Sequence, residues 1–277
     1  MISRSLPSFP SLPSLAFVAM SAHCLLIGCA SNYVTPGGPA PFGEFTTKSV
    51  ADTLVLMPEA PWPAGLAYTR VQASGYRSFS EQGVSRGTIS FVGAKDLERE
   101  GDLEKIRAWP SLRSVVRLTP ILVPRESDSL LALREGAATL RADILALYTL
   151  DTHFHVDDRD VGPLGLITLG LAPTRNAVVN CTASIAFFDV RTGYCYGTAE
   201  GSANDDQIGN AWTSDQALDD ARRRAERTAF EDMLVEGGKV WSAMAGPFTP
   251  PAAPASIPAS IPASIPASIP ATDPALP

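Results

Sequence analysis

Residues 177–195, AVVNCTASIAFFDVRTGYC, decide the fold that the sequence predicts. From Ala177 to Val190, apolar side chains alternate with mostly small polar ones, the period-two pattern of a strand with one buried face. Arg191-Thr192-Gly193 is typical of a turn, and an extended stretch resumes from Tyr194 to Ala203. The segment therefore predicts a long antiparallel hairpin.

Shorter elements surround this hairpin. The predicted strands are Leu66 to Val71, Thr88 to Val92, Arg113 to Leu118 and Ile144 to Val156. The predicted helices are Asp102 to Trp109, Ser127 to Arg141, and one that begins at Thr213 with a capping box and stops at Gly237-Gly238. Strands and helices that are interleaved early and followed by hairpins predict an α+β fold. We expect a mixed or antiparallel sheet with helices packed on one face, a long β-hairpin and a C-terminal helix.

Two cysteines lie in the predicted hairpin. A turn centred on Thr192 places Cys195 opposite Asp189, and Cys181 then lies eight residues farther along, roughly 26 Å away at about 3.3 Å per residue. A disulfide tolerates a Cα separation of only about 7 Å. The spacing therefore predicts that both thiols are reduced.

The N-terminus has the layout of a secretion signal. Arg4 is the only charge in the first 28 residues, and a mostly apolar stretch runs from Leu15 to Gly28. This stretch is too short and interrupted to be a permanent membrane helix, which needs about 20 apolar residues. Its end, Leu26-Ile27-Gly28-Cys29, resembles the lipobox of bacterial lipoproteins. The alternative is an ordinary cleaved signal with a chance cysteine.

The lipobox resemblance implies cleavage before Cys29, a diacylglycerol thioether on its sulfur and an acyl chain on its freed amine. We expect no cofactor besides this covalent lipid. By the enterobacterial sorting rule, Ala30 in place of aspartate implies an outer-membrane lipoprotein that faces the periplasm.

The chain then divides into four parts: a signal peptide (1–28), a flexible tether rich in Pro and Gly (29–48), one α+β domain (49–243) and a tail (244–277). In the tail, Pro254-Ala255-Ser256-Ile257 begins a unit that occurs four times. A proline at every fourth residue excludes helices and sheet ladders and favours an extended chain. The repeat is either an arm that crosses the periplasm or a passive expansion.

Part of the domain resembles the curli-secretion lipoprotein CsgG family. The resemblance covers residues 142–241 and is carried by Ala142-Asp143-Ile144-Leu145, by the turn Phe188-Asp189-Val190-Arg191-Thr192-Gly193, by the Gly-rich stretch 161–171 and by the helix end 233–241. It implies a periplasm-facing domain that can form rings, with hairpins that insert into the outer membrane as a pore.

The Gly-rich stretch is unusually apolar for a connecting loop. Its apolar side chains are candidates for a contact with a membrane or a partner protein: Leu164, Leu166, Ile167, Leu169 and Leu171. A loop folded onto the core is the alternative.

Asp151-Thr152-His153-Phe154-His155-Val156-Asp157 is the best candidate for chemistry. On a strand, alternate residues share a face, so Asp151, His153, His155 and Asp157 would line one side. Two histidines and a carboxylate there are candidate ligands for a metal ion, and the competing interpretation is a solvated strand face.

The sequence lacks the serine-nucleophile and phosphate-loop motifs, and we expect no enzymatic activity. Removing residues 1–28 removes one basic residue, so the net charge of −7 becomes −8, and this acidic balance argues against a nucleic-acid partner. The first hypothesis is a membrane-anchored envelope lipoprotein that binds or assembles with itself or other envelope proteins. A curli-type channel subunit is the second, and a metal-binding protein or enzyme is the third.

Overall fold

The computed structural model describes residues 33–44, 49–93, 95, 97–126, 129–158, 173–210 and 215–248. Within these ranges the strands are β1 (Ala64–Ala73), β2 (Val84–Arg86), β3 (Ile89–Phe91), β4 (Leu112–Arg117), β5 (Ile144–Asp158), β6 (Pro173–Asp189) and β7 (Cys195–Asn210). The helices are α1 (Val50–Leu54), α2 (Glu100–Arg107), α3 (Leu130–Thr139) and α4 (Asp215–Ala245), with short 3-10 turns at Phe42–Glu44, Pro120–Leu122 and Gly246–Phe248.

The strands form one mixed sheet in the order β2-β3-β1-β5-β6-β7, and β4 also pairs with β1. β1 runs parallel to β4 and β5, whereas β5, β6 and β7 form an antiparallel meander. The predicted α+β class, with its long hairpin and C-terminal helix, is confirmed. Each of the four shorter predicted strands overlaps an observed one.

Helices cover both faces of the sheet. On β5, the side chains of Ile144, Ala146, Tyr148 and Leu150 belong to one core together with those of α2 and α4. Leu145 and Leu147 belong to a second core with Leu130, Leu133 and Ala137 of α3. The prediction that helices pack on one face is therefore correct for α2 and α4, and wrong for α3, which packs on the other face. Central strands that are apolar on both sides need cover on both sides, which explains the difference.

The sheet has two well-separated ends. At the first, which we call the turn end, residues 190–194 connect β6 to β7, and Ile144 pairs with Asp189. At the second, the Tyr33 end, the ring of Tyr33 packs edge-on against that of Phe154 in β5, with ring centroids 5.3 Å apart. Ten residues of β5 separate Ile144 from Phe154, a distance of about 33 Å, and β5 continues beyond Phe154 to Asp158.

Both strands of the predicted hairpin are longer than expected. β6 begins at Pro173 rather than Ala177, and β7 continues to Asn210 rather than ending at Ala203. Asp205 and Asp206, which lie beyond the predicted end of this strand, pair with Val179 and Val178. The polar residues of this extension have no apolar alternation from which a strand could be predicted. The pairing of β7 with β6 includes them in the sheet.

The turn between β6 and β7 is organised by Asp189, which is fully buried. Its two carboxylate oxygens accept five hydrogen bonds: from the backbone N–H groups of Glu59, Ala60, Arg191 and Thr192, and from the hydroxyl of Tyr196. Burial alone would raise the pKa of Asp189, but these donors outweigh it and hold the pKa below its usual range. Gly193 follows with φ of +77°, a conformation that favours glycine. One carboxylate therefore shapes the turn and docks the chain that enters β1.

Neither Cys181 nor Cys195 forms a disulfide. Cys181 is buried and pairs in register with Ala203, while Cys195 is exposed at the start of β7 and lies opposite Phe188 rather than the predicted Asp189. The predicted reduced state of both thiols is confirmed for the reason given by the sequence, namely their separation along the hairpin.

Residues 33–44 pack on the domain, although the sequence predicts a flexible tether over residues 29–48. The backbone N–H of Ala40 donates to Thr149 Oγ1 at 2.8 Å, and Ala40 is buried in the α3-side core. Pro39 bridges to Gln72 of β1, and the N–H of Ala73 donates to the Gly38 carbonyl. The prolines and glycines that suggest flexibility instead fit an extended segment along the sheet.

The C-terminal helix α4 continues past Gly237-Gly238, where the sequence predicts its end. Its last turns bury Trp241 and Ala245, and the Trp241 indole N–H donates to the carbonyl of Pro110 at 2.8 Å. Tertiary packing thus overrides the low helix propensity of the two glycines. The predicted start at Thr213 lies outside the described residues. No described helix has the length and hydrophobicity needed to cross a bilayer.

Candidate functional site

A cavity of about 210 Å³ lies above the central strands β1 and β5, between α2 and α4. It is the most site-like feature of the described residues, because a pocket with apolar walls and a few converging polar groups is the usual form of a ligand site. Its apolar walls come from three strands and both helices, namely Leu66, Ala146, Ile185, Ile106, Phe230 and Met233. Trp109, which follows α2, also lines the cavity.

The polar side of the cavity centres on Glu98, just before α2. The Glu98 carboxylate accepts hydrogen bonds from the hydroxyls of Tyr148 and Tyr68 and, at 2.8 Å, from the Arg117 guanidinium. Burial, followed by the charge of Glu98, raises the pKa of Tyr68 to about 12 and that of Tyr148 well above its ordinary value. Both tyrosines are therefore neutral hydrogen-bonding groups, and Arg117 balances the carboxylate charge.

A charged contact between the two helices closes one side of the cavity. The Arg227 guanidinium of α4 binds both carboxylate oxygens of Asp102 in α2 and donates to the Leu97 carbonyl at 2.8 Å. Asp102 also accepts from the Arg99 N–H as part of a capping box. Paired donors of this kind are among the stronger hydrogen bonds in proteins. The contact fixes the separation of the two walls.

The Asp102–Arg227 contact predicts a pH dependence of stability. Burial would raise the pKa of Asp102, but the hydrogen bonds from Arg227 and Arg99 outweigh it and lower the pKa. A depressed folded-state pKa contributes stability that is complete above the unfolded value of about 3.9 and is lost as the pH falls through the folded-state value. Urea denaturation between pH 7 and pH 2.5 should therefore show declining stability below about pH 4.

The Asp102→Asn variant provides the comparison for this prediction. It should be less stable than the wild type by about 2 kcal/mol at pH 7, and it should lose less of its stability on acidification. If the two proteins show the same acid dependence, Asp102 does not contribute as described.

A second buried network lies beside the cavity, toward the Tyr33 end. Arg222 of α4 contacts Glu226 at 2.7 Å and Asp219 at 2.8 Å, and Arg70 of β1 lies 3.9 Å from Glu226. Thr152 Oγ1 also donates to Glu226 at 3.1 Å. Burial would lower the pKa of Arg222, but the neighbouring Glu226 and Asp219 raise it. These opposite charges compensate one another and fasten α4 to the sheet.

The candidate metal residues lie where the strand prediction placed them. Asp151, His153 and His155 belong to β5, and His153 Nε2 lies 3.1 Å from Asp151 Oδ1 with 75% of the histidine side chain exposed. Among the described residues, no group of three or more possible ligands is close enough to hold a metal ion. The side chain of Asp157 is outside the described part.

Other predicted site residues also fall outside the described residues. These are the lipobox residues Leu26, Ile27, Gly28 and Cys29, and the apolar loop residues Leu164, Leu166, Ile167, Leu169 and Leu171. Their roles stay predictions.

Sequence reasoning did not identify the cavity residues. Glu98, Arg99 and Glu100 form a charged run that resembles a solvated surface, and Tyr68 and Tyr148 are ordinary strand residues. The available signal was their position: both tyrosines lie within apolar strands, where a hydroxyl needs a buried partner. No protein-family model matches this sequence, and no related curated protein was found.

Proposed function

We propose that this protein is a lipoprotein of the bacterial cell envelope, anchored through Cys29 in the outer membrane and facing the periplasm, and that its folded domain is a non-enzymatic binding module. The lipobox residues 26–29 support the anchor. The cavity between α2 and α4 is the observation that supports binding, because its apolar walls surround a charge-balanced polar group.

The dimensions of the cavity define the class of ligand. An apolar cavity of about 150 Å³ is sufficient for benzene, so 210 Å³ accommodates a single ring or a short branched chain. Glu98 has further lone pairs for a donor, whereas an anionic ligand would face its carboxylate in a poorly hydrated site. The proposed ligand is therefore a small neutral apolar molecule that carries one hydrogen-bond donor.

Calorimetric titration with phenol and with benzoate tests this function. Phenol is expected to bind the full chain and raise its melting temperature, and benzoate is expected to do neither. The absence of any effect of phenol would contradict the binding role of this cavity.

Filling the cavity should abolish binding while the fold persists. Ala146 lines the cavity, so the larger side chain of Ala146→Ile fills part of it. The free energy of unfolding should change by less than about 1.5 kcal/mol. Phenol binding should be lost. Ala67, on the neighbouring strand, is buried in the opposite core, and Ala67→Ile is the matched control. It should lose about 1–3 kcal/mol through overpacking. Wild-type phenol affinity in Ala146→Ile would exclude this cavity as the site.

The second predicted function, a subunit of a curli-type secretion channel, stays a prediction. Size-exclusion chromatography with light scattering on the lipidated protein in detergent tests it. A ring-sized assembly would favour the channel, and a strict monomer would exclude it.

The third predicted function, a metal-binding protein or enzyme, also stays a prediction. Metal analysis of the purified protein tests it. Stoichiometric zinc, copper or iron that is lost in a His153→Ala variant would favour it over the proposed binding module.

A further inference from the structure

The distance between the proposed lipid and the first described residue constrains how the domain meets the membrane. Tyr33 is the fourth residue after Cys29 and packs between Phe79 and Phe154, with ring centroids 5.8 Å and 5.3 Å away. Four residues span at most about 14 Å when fully extended. A lipidated Cys29 therefore holds the Tyr33 end within about 14 Å of the bilayer interface.

The surface at the Tyr33 end has a composition suited to lipid headgroups. Val34 and Phe79 are 38% and 40% exposed although both are large and apolar. They border a shallow depression that is also lined by Arg77, Ser80, Gln82 and Glu81, whose mostly buried carboxylate lies 3.6 Å from Arg70. Aromatic side chains with neighbouring polar groups and a cation are typical of the membrane–water interface.

The turn end is remote from this surface, whereas β5, β6 and β7 continue past Phe154 at the Tyr33 end. The turn end lies about 33 Å from Phe154 along β5, and residues 33–44 are bound to β1 and β5 rather than free to swing. The anchor and the exposed apolar side chains therefore belong to the same end of a rigid body.

We infer that the domain rests on the lipid bilayer through a membrane-facing surface formed by Val34, Arg77, Phe79 and Gln82, with the turn end directed away from the membrane. This inference rests on the proposed lipidation of Cys29. The short connection and the packed segment 33–44 together fix the orientation, since a long flexible tether would leave the domain free to rotate.

Fluorophores attached at the two ends of the lipidated protein test the orientation in phospholipid vesicles. Cys195 is a natural exposed thiol at the turn end, Cys181 is buried, and Cys29 is the residue proposed to carry the lipid. Labels at Phe79→Cys and at Gln82→Cys, each in a Cys195→Ser background, report on the Tyr33 end. Gln82 is exposed and polar, so its substitution leaves the aromatic packing intact.

Spin-labelled headgroups are expected to quench the labels at positions 79 and 82 several-fold more than the label on Cys195. Equal quenching at all positions, or stronger quenching at Cys195, in protein that floats with the vesicles would overturn the orientation while leaving the anchor intact. Mass spectrometry distinguishes a failure of the proposed lipid anchor from a failure of the proposed orientation. An unmodified Cys29 would overturn the proposed anchor, and with it the placement of the Tyr33 end.

Discussion

Replacing Gly201 with alanine is expected to destabilise the domain by about 3 kcal/mol or more. Gly201 lies in β7 directly beneath α4, where an added Cβ would be 2.2 Å from the Met233 nitrogen and 2.5 Å from the Ala229 carbonyl oxygen. Both are backbone atoms inside the helix, so no side-chain rotation relieves the overlap and α4 itself must move. Urea denaturation followed by circular dichroism measures the loss.

Gly101→Ala is the matched control for this prediction. Gly101 lies in α2, and nothing is within 4 Å of a Cβ placed there. Alanine should stabilise that helix by up to about 1 kcal/mol, because glycine loses more backbone entropy on folding. Equal stability of the Gly201→Ala protein and the wild type would contradict the close contact between α4 and β7.

The second large effect is expected at Asp189. Replacing it with alanine leaves four backbone N–H groups and the Tyr196 hydroxyl without their acceptor. An unsatisfied buried donor costs about 1–3 kcal/mol, although some of these groups will reach water after the change. We expect a loss of about 4 kcal/mol and faster hydrogen exchange at Glu59 and Ala60, both measurable on the purified protein.

The Glu236→Ala variant measures how much stability is lost when an exposed carboxylate is removed. Glu236 pairs with Lys239 on the exposed side of α4, and surface pairs of this kind contribute less than about 1 kcal/mol. If Asp189→Ala costs no more than Glu236→Ala, the turn is held by its backbone geometry rather than by the carboxylate.

The central part of the fold was predictable because it depends on local patterns. The alternation in residues 177–190 and the turn residues that follow reflect which side chains are buried and which backbone angles are required, and both properties are encoded locally. The reduced state of Cys181 and Cys195 followed from the same hairpin by simple distance. The role of Asp189 in docking Glu59 was not predictable, since it joins residues 130 positions apart.

Features that depend on tertiary packing were missed. Gly201 suggests a weak point in a strand when considered alone, yet its missing side chain is what allows α4 to approach. The cavity has no linear motif, because Tyr68, Glu98 and Tyr148 meet only after β1 and β5 pair in parallel. Residues 33–44 have a tether-like composition, and only the available surface beside β1 orders them.

The path of α4 separates the two ends of the described chain. The helix crosses the domain beside β7, from Arg224 against Asp205 near the Tyr33 end to Trp241 against Pro110 near the turn end. Its 31 residues correspond to about 46 Å of travel. The first and last described residues, Tyr33 and Phe248, therefore lie at opposite ends of the domain. If the proposed membrane contact at the Tyr33 end is correct, Phe248, where the described chain ends, lies on the side of the domain that faces away from the bilayer.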